Sequence, residues 1–378
     1  MATASQTTTL WDIARLFLKL GTTAFGGPAA HIAMLQQEVV ERRHWISPEE
    51  FLDHLGASNL IPGPTSTELV IHIGRRRGGW PGLLVAGTCF ILPAALMVGI
   101  LAWAYVRYGS LPAVSGLLYG VKPVVIAIIL HALWKLGHTA IKSTWLAIVA
   151  LVTLFLALVG VSPLVVLVIG AFLGVVVSLD ASRRKAAFLA TLQPQAAMAA
   201  AAAVGLWPIF LSFVKIGAMV FGSGYVLLVF LRSELIERHA WLTQQQLLDA
   251  VAVGQVTPGP VFTTATFLGH LLHGTSGAIA ATVGIFLPAF VLVAVSAPLI
   301  PKIRASRVAG AALDGVNVAS LALMALVTWQ LARSALVDWI TVALALSSAV
   351  LLFCFPKLNS AWLIAAAGLV GATRYVFS

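Results

Sequence analysis

The sequence predicts an all-α polytopic membrane protein made of two inverted-topology repeats. It predicts about ten transmembrane helices plus two re-entrant or broken helices at Pro-Gly-Pro motifs. Three observations lead there. Hydrophobic residues make up 60% of the 378 and charged residues only 10%, against roughly 25% charged in soluble domains. The two halves keep a common register from Phe17 to Trp134. Pro-Gly-Pro occurs once in each half, at Pro62-Gly63-Pro64 and Pro258-Gly259-Pro260, each time inside an apolar stretch.

The apolar runs come in order along the chain. In the first half, Leu10–Ala30, Leu83–Tyr105, Val114–Trp134, Trp145–Val159 and Leu164–Leu179 are the expected crossings. Ile279–Ala297, Val316–Ala332 and Ile340–Phe355 follow in the second. A bilayer core takes about 20 helical residues, so the shorter runs must tilt or use their flanks. The net charge is +10 and the isoelectric point about 10.1. The basic residues sit in short tracts between spans: Arg75-Arg76-Arg77, Arg183-Arg184-Lys185, and Lys302, Arg304 and Arg307. That placement fits topology signals and lipid headgroups, and no nucleic-acid motif accompanies it. Cys89 and Cys354 are far apart and make no metal-ligand spacing. The segment from Met1 to Leu10 lacks the basic start of a cleavable signal.

The repeat is dense. Lys19 matches Lys215, Glu38 matches Glu234, Trp45 matches Trp241 and Asp53 matches Asp249, all with an offset of 196 residues. Pro93 with Pro288, Gly120 with Gly315 and Trp134 with Trp329 continue it at 195. The repeats are therefore placed at 1–186 and 187–378. Their charges disagree: Gly74-Arg75-Arg76-Arg77 faces Gly269-His270-Leu271-Leu272-His273, and one span later the second half carries the basic loop. Short loops rich in Lys and Arg lie in the cytoplasm, so the halves are expected to insert in opposite senses, with a site between them at mid-depth.

Each Pro-Gly-Pro is where that site is expected. A proline pushes the residue before it out of the α region, Gly63 permits an unusual turn, and Pro64 suits the first position of a new helix. The helix restarting there presents free N–H groups and the positive end of its dipole to the break. Asn59, Gly63, Pro64, Thr65, Ser66 and Thr67 are the expected donors and turn residues of the first half. Gln255, Thr257, Gly259, Thr263 and Thr264 are those of the second. Two opposed helix starts would form a donor cage for a tetrahedral oxyanion; a pair of structural kinks is the plainer alternative.

Further candidates surround this pair. Lys19 and Lys215 either neutralise the substrate or snorkel to the interface. Gly26, Gly27 and Gly222 either make a second break or allow close helix packing. Glu68 has no acidic twin, since Thr264 stands in its place. It either carries a proton or pairs with an arginine of 75–77. His72, together with His31 and His131, is a further proton-relay candidate, a structural role being the plainer reading of each. Lys122 and its twin Asn317 are candidates to line the path, and Asp53 and Asp249 to cap or pair at the starts of the re-entrant helices. Glu38–Trp45 and Glu234–Trp241 look interfacial. No catalytic constellation, metal set or cofactor motif is present, which argues against an intramembrane enzyme.

At FGGPAAHIAMLQQEVVERRHWISPEEFLDHLGASNLIPGPTSTELVIHIG, at FGSGYVLLVFLRSELIERHAWLTQQQLLDAVAVGQVTPGP, at GVKP and at the paired ILPA and FLPA strings, the chain resembles the chromate ion transporter family. The likeness runs over nearly the whole sequence. It implies a bidomain, multi-pass transporter of the bacterial inner membrane that exports chromate, driven by the proton motive force, and confers resistance. Sulfate, of the same shape and charge, is the expected competitor, and uptake or a channel is the alternative. Thr65 departs from the family pattern, which has Asn there. A homodimer is expected from size alone.

Overall fold

The computed structural model describes residues 9–25, 27–109, 111–179, 204–221, 224–296, 307–355 and 358–377. The repeat boundary at 186, the tracts at 183–185 and 302–304, and Gly26 and Gly222 fall outside them. Among the described residues the structure is helical, with fourteen α-helices. They are α1 (Leu10–Thr23), α2 (Gly27–Gln36), α3 (Pro48–Ser58), α4 (Thr65–Tyr108), α5 (Pro112–Ala140), α6 (Thr144–Leu158) and α7 (Pro163–Leu179). The second half has α8 (Leu206–Met219), α9 (Leu227–Leu231), α10 (Gln244–Val256), α11 (Thr264–Ser296), α12 (Arg307–Ala335), α13 (Trp339–Cys354) and α14 (Ser360–Phe377). Parts of α4, α5, α11 and α12 are long and apolar enough to cross a membrane, and five shorter apolar helices accompany them. The protein is a multi-pass membrane protein with two repeats.

The expected first crossing, Leu10–Ala30, is interrupted. Helix α1 stops at Thr23 and Ala24 turns extended (φ −80°, ψ 92°). At 1.5 Å per residue α1 is about 21 Å long, short of a bilayer core. The same stop recurs after α8, where Val220 is extended. A second break near the Pro-Gly-Pro segment is thus present in both halves.

Helix α3 starts on Ser47, whose hydroxyl accepts from Glu50 N, and α10 starts on Thr243 in a capping box with Gln246. These hydroxyls take the role expected of Asp53 and Asp249, which lie further along. Both α4 and α11 are bent pairs of helices. At Gly78–Gly79 and His273–Gly274 the backbone leaves helical geometry, with Gly79 at φ +61° and Gly274 at φ +59°. The chain doubles back there: a Cβ on Gly74 would lie 2.4 Å from the Gly82 carbonyl oxygen, and one on Gly269 would lie 2.2 Å from that of Gly277. Each Pro-Gly-Pro therefore opens a short inward helix, Thr65–Arg77 or Thr264–Leu272, that returns through a full-length arm.

The repeats are interlocked. Helix α5 packs on α14, and its twin α12 packs on α7. Glycine permits both approaches: a Cβ on Gly120 would sit 1.9 Å from Ala367 O, and one on Gly315 would sit 2.0 Å from Gly170 O. Close small-residue contact of this kind is how helices associate in lipid.

Candidate functional site

The two Pro-Gly-Pro segments meet. Gly63 N–H donates to Val220 O at 2.7 Å, and Gly259 N–H donates to Ala24 O at 2.9 Å. These bonds are twins of one another across the pseudo-symmetry. Each proline break is tied to the end of the other half's first helix. The conformations they need are open mainly to glycine, with Gly63 at φ +141° and Gly259 at φ +92°. Around the junction, Pro64, Thr65, Ser66 and His31 of the first half and Gly224, Pro260, Val261 and Phe262 of the second line one cavity of about 10 Å³. That is room for about one water and less than a tetrahedral oxyanion needs, so this conformation is closed on itself.

The walls differ. On the first-half side Pro64 is extended and Thr65 opens α4. The amides of Thr67 and Glu68 already turn back to Pro64 O, at 2.8 and 3.0 Å, so the Thr65–Ser66 amides lead the helix start. Ser66 Oγ is 3.4 Å from His31 Nδ1, and His31 Nε2 is 3.0 Å from Ala24 O. A carbonyl only accepts, so this nitrogen carries the proton and Nδ1 of the neutral ring accepts from Ser66. The second-half wall is apolar. Thr257, Thr263 and Thr264, expected as donors, turn their hydroxyls to the backbone carbonyls of Val253, Pro260 and Val261, at 3.1, 2.8 and 2.8 Å. Helix residues of this type bond back to the preceding turn when nothing better faces them. Gln255 meets the Tyr225 hydroxyl and Asn59 is an exposed residue at the end of α3; neither lines the cavity.

Thr67 and Glu68 are fully buried, and neither the Thr67 hydroxyl nor either Glu68 carboxyl oxygen has a hydrogen-bond partner among the described residues. Buried polar groups are almost always paired, so this cluster stands out. Glu68 is packed against the break itself: a Cβ on Gly63 would lie 2.2 Å from its Oε1. The pairing of Glu68 with an arginine of 75–77 does not occur. Arg75 donates to the carbonyls of Val293 and Ala294, Arg76 binds Glu50, and Arg77 donates to Trp45 O.

The two matched lysines lie away from the cavity. Lys19 Nζ is 2.8 Å from Glu38 Oε1, and Lys215 Nζ is 2.5 Å from Glu234 Oε2. Arg42 and Arg238 complete the two clusters. Burial would raise the Glu38 carboxyl, but Lys19 and Arg42 outweigh it and hold it below the ordinary carboxylate range. Glu38 and Glu234 each stand in a π-helical turn, Gln37–Arg42 and Arg232–Arg238. The snorkelling alternative, with a partner added, describes these lysines. Gly27 opens α2 beside the first stop.

Lys122 also finds a partner. Its Nζ lies 2.8 Å from Asp249 Oδ1 in a pair almost closed to solvent, and Tyr105 donates to Asp249 Oδ2 at 2.8 Å. The pair joins α5 of one repeat to α10 of the other. Asn317 is half-buried on α12, and His131 packs its ring 5.0 Å from Phe353, remote from the breaks. Reading the sequence missed Val261 and Phe262 as cavity walls because neither carries chemistry; their place directly after the second Pro-Gly-Pro was the one available signal, whereas Gly224 belongs to the glycine segment expected as a second break.

The family model for chromate transporters matches residues 11–175 and again 207–372, once per repeat. A chromate transport protein of Cupriavidus metallidurans is 34% identical over 98% of this chain and 94% of its own length. One from Pseudomonas aeruginosa is 34% identical over 94% and 90%. An uncharacterized transporter of Methanocaldococcus jannaschii is 25% identical over 91% and 89%. No solved structure matches. With the model matched over both halves and full-length relatives at this identity, the chain belongs to the chromate transporter family, a family of transporters and not of enzymes.

Proposed function

We propose that this protein exports chromate across the cell membrane as a secondary transporter, holding the oxyanion between the helix starts at Pro64 and Pro260. One observation carries the reading: both Pro-Gly-Pro breaks, 196 residues apart in sequence, line a single cavity. The Ser66 amide and the positive end of the inward helix supply what a dianion needs, and the Ser66 hydroxyl joins them once it turns from His31. Sulfate has the same shape and charge and competes. The coupling ion is H⁺, with Glu68 as its carrier.

The repeats insert in opposite senses. Arg75, near the Gly78–Gly79 turn of α4, reaches the carbonyls of Val293 and Ala294. The run of α11 from the Gly274 turn to Ala294 is about 30 Å of helix, one bilayer core. The two glycine turns therefore belong at opposite faces. Whole repeats rocking against each other is the motion expected of such a design, but the cross-packing of α5 on α14 and α12 on α7 opposes it. The moving unit is instead the pair of proline-broken hairpins with α1 and α8, sliding within a frame of α5–α7 and α12–α14.

The reading is tested by chromate binding to the purified protein and by chromate resistance in cells. Thr67→Ala and Ser66→Ala should each weaken binding about tenfold, the loss of one buried donor, with the protein still folded. Unchanged binding in both variants overturns the site. Net uptake of chromate by cells would favour the import alternative.

A further inference from the structure

We propose that Glu68, His72, His54 and Glu50 form a proton path from the first break to the membrane face that carries Arg75–Arg77, and that chromate binding draws a proton in along it. The inference rests on the anion site proposed above and adds how its charge is balanced.

The path runs outward in steps. Glu68 is fully buried against Gly63, with both carboxyl oxygens lacking a hydrogen-bond partner among the described residues. His72 follows one helical turn later, on the same face. It is 98% buried, and its Nε2 is likewise without a hydrogen-bond partner. The His72 ring stacks on that of His54, centroids 5.5 Å apart and 25° from parallel. His54 Nε2 lies 3.8 Å from Glu50 Oε1, and Glu50 is partly open to water and bound to Arg76. Imidazole suits such a route because it takes a proton on one nitrogen and releases one from the other. The spacing exceeds a direct hydrogen bond, so each transfer needs a ring rotation or a bridging water. Among the described residues, no three His, Cys, Asp or Glu side chains converge as a metal site would require.

The other charges around the path are accounted for. Asp53, on the same helix as His54, contributes electrostatically to it, as does Arg76. Arg75 acts on His72 but is itself engaged by the carbonyls of α11. Among the described residues no arginine or lysine neutralises Glu68. The second repeat has none of this: Gln246, Ala250, Phe267 or Leu268, and Thr264 occupy the twin positions. The path is therefore one-sided. The basic turn marks its outer end as cytoplasmic.

The sign follows from charge. An ionised Glu68 beside Gly63 repels a dianion held at Pro64–Ser66, and a protonated one does not. The proton enters at Glu50, passes His54 and His72, and ends as the carboxylic acid of Glu68. Chromate and proton bind together and do not compete, so the loaded carrier moves one net negative charge outward and the inside-negative membrane potential, not an inward proton flux, drives export.

The test uses full-length protein at alkaline pH, where chromate itself is a full dianion. Chromate binding to wild type should tighten by up to about tenfold per unit fall in pH, the slope of one linked proton. A pH-indicating dye in weak buffer should show about one proton taken up per chromate. Glu68→Gln should flatten the pH dependence and abolish the proton uptake. His54→Asn should leave equilibrium chromate affinity unchanged and slow proton uptake about tenfold or more, with imidazole added to the buffer restoring the rate. His54→Gln serves as a second variant should the first fold poorly. Proton uptake at the wild-type rate in both His54 variants overturns the path. PH-independent binding in wild type overturns the linkage while leaving the anion site standing. No chromate binding at all overturns the site and the path together.

Discussion

Gly63 and Lys122 show how single residues set the energetics here. Gly63 holds φ +141° while donating its amide across the repeat boundary, and any Cβ there collides with Glu68. Gly63→Ala should cost about 1–3 kcal/mol of local strain and abolish chromate resistance, with the protein still inserted; full resistance would count against the site. Gly259→Ala should act alike, its Cβ meeting Ala94. Lys122→Met removes one member of a pair shielded from solvent and leaves the Asp249 carboxyl without its cationic partner, with Tyr105 as its remaining donor. The expected loss is about 3–5 kcal/mol in thermal or denaturant unfolding, and Lys122→Met combined with Asp249→Leu should recover most of it. The cation at Lys122 was visible in the sequence as costly and therefore purposeful. Its partner, in the other repeat and 127 positions away, was not, because nothing local links them.

At the scale of elements, the helix ends were legible and the helix contacts were not. Pro62 and Pro64, the missing amide protons and the fixed φ of proline dictate where α3 must stop and α4 begin. The doubling back at Gly78–Gly79 fits the short run from Pro64 to Gly74, about 15 Å of helix or half a bilayer core. The stop of α1 at Thr23 was less plain, since glycines at 26 and 27 serve packing and breaking equally well. Glycines at crossings give a clean check. Gly120→Ala and Gly315→Ala place a methyl within 2.0 Å of a carbonyl oxygen across the interface, whereas a Cβ on Gly310 meets nothing within 4 Å. The first two should destabilise by about 1–3 kcal/mol in thermal unfolding, and Gly310→Ala should be neutral or slightly stabilising.

At the scale of the molecule, the proposed opposite insertion of the repeats makes a prediction independent of transport. With Cys89 and Cys354 replaced by serine, Trp80→Cys and Thr275→Cys mark the two glycine turns at matched, exposed positions. A membrane-impermeant thiol reagent should label the first only from the cytoplasmic side and the second only from outside. Labelling of both from one side removes the inverted arrangement and with it the pseudo-symmetric pocket.

Composition and periodicity alone determined that this chain lives in a bilayer, because so few charges cannot cover so much apolar surface. Duplication and the paired prolines determined that it has two broken helices of one design, because backbone stereochemistry at proline and glycine is local. Only the tertiary structure decided that each break is tied to the other half's first helix, that the matched lysines answer to Glu38 and Glu234 instead of the cavity, and that the frame helices cross between repeats. Those outcomes depend on which surfaces meet once the chain is folded, and the contact between the two halves brings together residues that no sequence window contains.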